Sequence, residues 1–136
     1  MKALQDKILQ EGLIVNNSIL KVDAFLNYQV DTSLLNNMAE FIVSHFPKAD
    51  KVITVESSGI PLAVAVAVKL GNVPMVFARK SLSLVSENNE HYVSKVFSFT
   101  HNVDNLIYLA KKYLKHGENI LIVDDFLAAG SASNGL

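Results

Sequence analysis

From residue 31 to 47 the apolar positions Leu34, Leu35, Met38, Phe41 and Ile42, together with His45, recur every three or four residues. That period predicts an amphipathic helix, capped by Asp31 and ended by Pro47. Leu4 and Ile8, four apart with Gly12 as a stop, predict a shorter helix at the N-terminus. Residues 13–29 are irregular, with β-like pieces at 13–15 and 19–22. Residues 51–55 form a β-branched run; after Glu56-Ser57-Ser58-Gly59, Pro61 falls in a first-turn position and an apolar segment runs to Gly71, which predicts strand, loop and helix. Residues 73–77 form a second strand, reached through a crossover helix and therefore parallel to the first. Residues 79–90 are polar and predict an exposed loop, and 92–99 a further strand. Asn102 is placed to cap a helix carrying Leu106, Ile107, Ala110, Tyr113 and Leu114, ended by His116 and Gly117; residues 120–123 predict the last strand. Strands alternating with helices define an α/β fold with a mostly parallel sheet flanked by helices.

Composition narrows the picture. A chain of 136 residues with 50% hydrophobic residues has the length of one domain. Twelve basic against thirteen acidic side chains leave a net charge of −1, without the basic excess that nucleic acid or an acidic membrane surface calls for. The absence of cysteine excludes disulfides, thiolate zinc sites and a cysteine nucleophile, and points to the cytoplasm. Lys2, Asp6 and Lys7 interrupt any apolar leader, and the longest apolar run, 60–68, is far short of the roughly 20 residues of a membrane span. His45, His91, His101 and His116 fall in different elements without ligand spacing, so no protein metal site is expected.

Ligands of an open α/β sheet bind beyond the carboxyl ends of its strands. The end of the last strand carries Asp124-Asp125 and then the small residues Ala128, Ala129, Gly130, Ser131 and Ala132. Such a loop lets successive backbone N–H groups approach a phosphate, and a helix starting at Gly130 or Ser131 aims its N-terminus at the anion. Two carboxylates just upstream suit sugar hydroxyls, so the combination fits a ribose 5-phosphate. Taken singly, Asp-Asp is a solvated turn, Gly130 a turn glycine, Glu56–Gly59 an ordinary βα turn, Arg79-Lys80 a solvated strand end, Leu20 a core residue and Asn27 a turn residue.

The run from Val123 to Ala132 resembles the phosphoribosyl diphosphate (PRPP) motif of the type I phosphoribosyltransferases, in the form carried by their bacterial xanthine-using branch. Residues 20–29, 54–60 and 76–80 agree with the same family, in register along the whole chain. The resemblance implies a single phosphoribosyltransferase domain over 1–136, with a small N-terminal base hood at 1–30 and a PRPP-binding core at 31–136. It implies transfer of the phosphoribosyl group of PRPP to xanthine, giving xanthosine 5′-monophosphate and pyrophosphate in purine salvage. Asp124 and Asp125 would face the ribose as the catalytic acids, and Ala128 to Ala132 would hold the 5-phosphate. Glu56, Ser57, Ser58 and Gly59 would form the pyrophosphate loop, where Gly59 permits close backbone approach, with Arg79 and Lys80 adding positive charge. Leu20 and Asn27 would contact the purine, and 81–92 would form a loop that closes during turnover. Mg2+ would arrive on the PRPP, and the enzyme would be a cytoplasmic homodimer without nucleic-acid or membrane partners. Guanine or hypoxanthine is the alternative base; a purine-sensing regulator of the same fold is the alternative function, against which stand the missing DNA-binding domain and the net charge of −1. Family members continue through further strands and a purine-reading lysine, whereas this chain stops at Leu136. The expectation is a C-terminally truncated member, with 120–123 left as an apolar edge that invites aggregation or dimerisation, and with little turnover.

Overall fold

A computed structural model describes residues 1–17, 19–82, 90–98, 103–126 and 130–136. Helix α1 (Lys2–Glu11) lays Leu4 and Ile8 on the core, while Lys2–Asp6 and Lys7–Glu11 pair one turn apart on its outer side. Strands β1 (Leu13–Val15) and β2 (Ile19–Lys21) form a two-stranded antiparallel ribbon. Its turn places Asn16 and Asn17 at φ 52° and 56°, the left-handed region that asparagine tolerates better than most residues. A π-helical turn, Asp23–Asn27, then drives Phe25 and Leu26 into the core.

Helix α2 (Thr32–His45) starts as predicted: the Asp31 carboxylate accepts from the Leu34 N–H at 3.0 Å, and Lys7 reaches the same carboxylate at 3.1 Å, tying α1 to the start of α2. Its buried face is Leu34, Met38 and Ala39, with Leu35 and Ile42 beside them. Phe41 and His45, expected on that face, lie on the flank, where their rings meet at 4.5 Å and Phe41 stays 46% exposed.

Strand β3 (Lys51–Val55) is buried along its whole length. It lies between β4 (Met75–Ala78) and β7 (Ile120–Ile122), parallel to both, in the order β4-β3-β7. Burial on both faces accounts for its near-continuous apolar sequence. Val52 packs with α2 and α3 (Ile60–Lys69), where Ala63 and Ala67 allow close approach; Ile53 and Val55 pack on the other face. Lys51 is the exception: its ammonium is buried against Glu118 at 2.8 Å and donates to the Tyr113 carbonyl.

One prediction is corrected. The segment expected as a helix behind Asn102 is strand β6 (Val103–Ala110), antiparallel to β5 (His91–Ser98) over eight rungs; Asn102 itself lies outside the described residues. Ile107 and Leu109 are buried while Leu106 is 47% exposed, an alternation only a strand produces. The five-residue apolar run Leu106-Ile107-Tyr108-Leu109-Ala110 does not reveal its period, and here cross-strand pairing decided it. The expected helical residues Tyr113 and Leu114 belong instead to a 3-10 turn and its end. The hairpin covers the second face of the sheet, and Arg79 and Tyr108 exchange backbone hydrogen bonds at 2.9 and 2.8 Å, joining it to the end of β4. Helix α4 (Ser131–Gly135) is a single turn that rests Gly135 against Val96 of β5. Among the described residues, β7 is an edge of the parallel sheet, as expected, and no helix is long and apolar enough to cross a membrane.

Phe25 is fully buried and joins the N-terminal segment to the core, so Phe25→Ala is expected to cost about 4 kcal/mol, measured by urea denaturation. The Lys51 partner holds the Glu118 carboxyl below the usual glutamate range, so the pair stabilises the fold above about pH 4.5 and is lost as pH falls through the depressed value. Glu118→Gln is expected to lower the denaturation midpoint at pH 7, with the difference from wild type closing in acid.

Candidate active site

Because β3, β4 and β7 run parallel, the segments that leave them emerge at one edge of the sheet. These are Glu56–Gly59, Arg79-Lys80 and Asp124-Asp125, three of the groups singled out in the sequence. The Glu56 N–H donates to the Ala78 carbonyl at 3.0 Å and the Val123 N–H to that of Ile53 at 2.9 Å, which extends the ladders to the rim of the site.

Residues 56–59 turn sharply into α3, with Gly59 as its N-cap, Pro61 in the first turn and a cis peptide between Glu56 and Ser57. The Ser57, Ser58 and Gly59 amides have no acceptor among the described residues. Three adjacent donors at the start of a ten-residue helix suit an anion. The Glu56 carboxylate points elsewhere: it accepts from the Lys80 N–H at 2.6 Å and pairs with the Arg79 guanidinium at 3.1 Å. Glu56 thus anchors the cationic turn beside these amides.

Asp124 Oδ1 accepts from the Asp125 N–H at 3.0 Å. Burial and the neighbouring Asp125 carboxyl push the Asp124 pKa up to about 6, and the Lys80 charge pulls it partly back. Gly59 has a reason beyond approach to a ligand: a Cβ there would sit 2.7 Å from Asp124 Oδ1 and collide with the Thr54 hydroxyl. Thr54, missed in the sequence, is fully buried, and its hydroxyl has no partner among the described residues. The available signal was a single hydroxyl inside Val52-Ile53-Thr54-Val55.

Of the expected phosphate loop, Ala128 and Ala129 lie outside the described residues. Gly130 takes φ 73°, the left-handed conformation that glycine adopts freely, and opens α4, which includes Ser131 and Ala132. The Ser133 hydroxyl and the Asn134 N–H close the turn on the Gly130 carbonyl at 3.0 and 2.9 Å. Most of the expected closing loop, 83–89, is likewise outside the described residues. In the N-terminal segment, Leu20 packs half-buried against the core while the Asn27 side chain is exposed.

Among the described residues no cluster of three or more His, Cys, Asp or Glu side chains could cage a metal. Donors for an anion, cations beside them and two carboxylates at the same parallel edge define a protein that handles a phosphorylated, hydroxylated ligand. The phosphoribosyl transferase domain matches residues 22–132, and the chain belongs to that family. It is 48% identical to a xanthine phosphoribosyltransferase of Clostridioides difficile (strain 630), over 100% of this chain and 72% of that one. It is 42% identical to the enzyme of the same name from Bifidobacterium adolescentis, over 100% and 71%. The fold is shared with APRTase from Giardia lamblia complexed with 9-deazaadenine (TM-score 0.76, 19% identity, 97% of this chain and 72% of that one). It is shared also with adenine phosphoribosyltransferase from Saccharomyces cerevisiae (0.70, 21%, 99% and 78%).

The raised pKa of Asp124 has a consequence for stability. An acid held above its unfolded value of 3.8 destabilises the fold as pH rises from about 4 to about 6, and by a constant amount above that. Two pKa units are worth about 3 kcal/mol, which solvent screening of this partly exposed group reduces to about 1 kcal/mol. Asp124→Asn keeps the acceptor for the Asp125 N–H and is expected to be more stable than wild type at pH 7.5 but not at pH 4, measured by urea denaturation.

Proposed function

We propose that this chain catalyses transfer of the phosphoribosyl group from PRPP to xanthine, giving xanthosine 5′-monophosphate and pyrophosphate. The observation that carries the reading is the meeting of the Ser57, Ser58 and Gly59 amides, without an acceptor among the described residues, with the Asp124-Asp125 pair at one sheet edge. The likeness to relatives named xanthine phosphoribosyltransferase supplies the base.

Mechanism follows from charge. The bond from ribose C1 to pyrophosphate breaks as a bond to a purine nitrogen forms, positive charge spreads over C1 and the ring oxygen in between, and the proton of that nitrogen passes to solvent. The 57–59 amides receive the departing pyrophosphate, with Arg79 and Lys80 beside them; the turn that Glu56 anchors keeps those cations in place before substrate arrives. Asp124 and Asp125 accept from the ribose hydroxyls and favour the cationic transition state. Residues 128–132 take the 5-phosphate. Mg2+, when bound with PRPP, offsets charge on the leaving group. Asn27, exposed at the end of its turn, hydrogen-bonds the purine edge, and Leu20 packs under it. A cytoplasmic homodimer belongs to the same reading.

Titration calorimetry of Mg–PRPP into the wild-type chain and into an Asp124→Asn, Asp125→Asn variant tests the ribose half of the site. Saturable binding that the variant weakens at least tenfold is expected; equal binding by both would overturn the assignment of the carboxylates. Product analysis with xanthine, guanine and hypoxanthine offered together tests the base, with xanthosine 5′-monophosphate expected to dominate and a guanine or hypoxanthine nucleotide in its place overturning that choice.

A further inference from the structure

Thr54 is the anomaly of the central strand. Its neighbours on β3 are aliphatic, apart from the ion-paired Lys51, and every residue of the strand is buried. A hydroxyl without a partner in such a place loses its hydration and gains nothing in return. Valine has the same shape and none of that cost, so packing alone does not account for threonine. The position of the hydroxyl suggests what does. It lies beneath Gly59, and a side chain at Gly59 would collide with it while standing 2.7 Å from Asp124 Oδ1. Both oxygens therefore crowd one point, the space left by the missing Cβ of Gly59. The Thr54 hydroxyl has a proton to donate, and Asp124 Oδ1, which already accepts from the Asp125 N–H, has a lone pair to spare.

We propose that Thr54 is a positioning residue for Asp124: by donating from beneath Gly59 it holds Oδ1 against the sheet and leaves Oδ2 facing the ribose hydroxyls. The proposal rests on Asp124 being a ribose-facing acid, as set out above. Rotation of the Asp124 side chain toward the hydroxyl would close the bond, and substrate drawing on Oδ2 would favour it. Gly59 is then needed twice, as the entry to α3 and as the window through which strand and carboxylate meet.

The test is a double-mutant cycle on Mg–PRPP affinity, read by calorimetry, with Thr54→Val, Thr54→Ser, Asp124→Ala and the Thr54→Val, Asp124→Ala pair; alanine removes the Oδ1 acceptor that asparagine would keep. Thr54→Val is expected to denature at the same or higher urea concentration than wild type, yet to bind Mg–PRPP about tenfold more weakly. Thr54→Ser, which restores the donor but not the methyl, is expected to recover most of that affinity despite a less well filled core, opposite to the order of stabilities. In the Asp124→Ala background Thr54→Val is expected to change affinity less than twofold. Wild-type affinity in Thr54→Val overturns the proposal, as does an undiminished tenfold loss in the Asp124→Ala background, which would place the effect elsewhere. Should Asp124→Ala itself bind as wild type does, the ribose-facing role of Asp124 fails, and the positioning role falls with it for a reason the cycle identifies.

Discussion

Burial of β3 on both faces is the constraint from which the arrangement of the site follows. A strand covered by α2 and α3 on one side and by the β5–β6 hairpin on the other is held rigidly in its register with β4 and β7. The ends of all three strands then keep their relative heights, and groups more than sixty positions apart in the chain meet at one edge. The same burial explains Lys51. An ammonium in that position is tolerable only because Glu118, arriving from the approach to β7, neutralises it. That contact also pins the start of β3 to the connection that precedes β7.

At the opposite end of the sheet, partial burial of Asp124 works against stability and, in the proposed reaction, for chemistry. A carboxylate removed from bulk water interacts more strongly with charge developing nearby, and the same removal raises its pKa. The Thr54 hydroxyl, without a partner among the described residues, has the same character: unfavourable in a core and, in the proposed positioning role, useful beside Asp124. The parts of β3 that depart from an ideal apolar strand are its two ends, one stabilising the sheet and one adjoining the site.

The division of charge at the rim is equally physical. Glu56 lies beside three amides that have no acceptor among the described residues, and a free carboxylate there would repel an anion. By engaging Arg79 and the Lys80 amide, the carboxylate is turned away from the amides of Ser57, Ser58 and Gly59 and organises the cations instead. The Arg79–Tyr108 backbone exchange extends this organisation to the hairpin, so the covering ribbon and the cationic turn are mechanically one piece.

Sequence alone determined the elements whose signals are local. The Asp31 cap, the Pro61 first turn and the β-branched run of β3 each specify backbone conformation through neighbours a few residues away. The parallel pairing of β3 with β4 followed from the length of the connection between them. Tertiary structure decided what depends on distant partners. Residues 103–110 carry an ambiguous apolar run, and pairing with β5 made it a strand; Phe41 and His45 left the buried face because they pack on each other. Neither the ion pair of Lys51 with Glu118 nor the crowding of Thr54, Gly59 and Asp124 has a trace in residue spacing. Short-range periodicity and capping are written in adjacent side chains, whereas the energies of burial, pairing and charge arise only when the chain brings remote groups within a few ångströms.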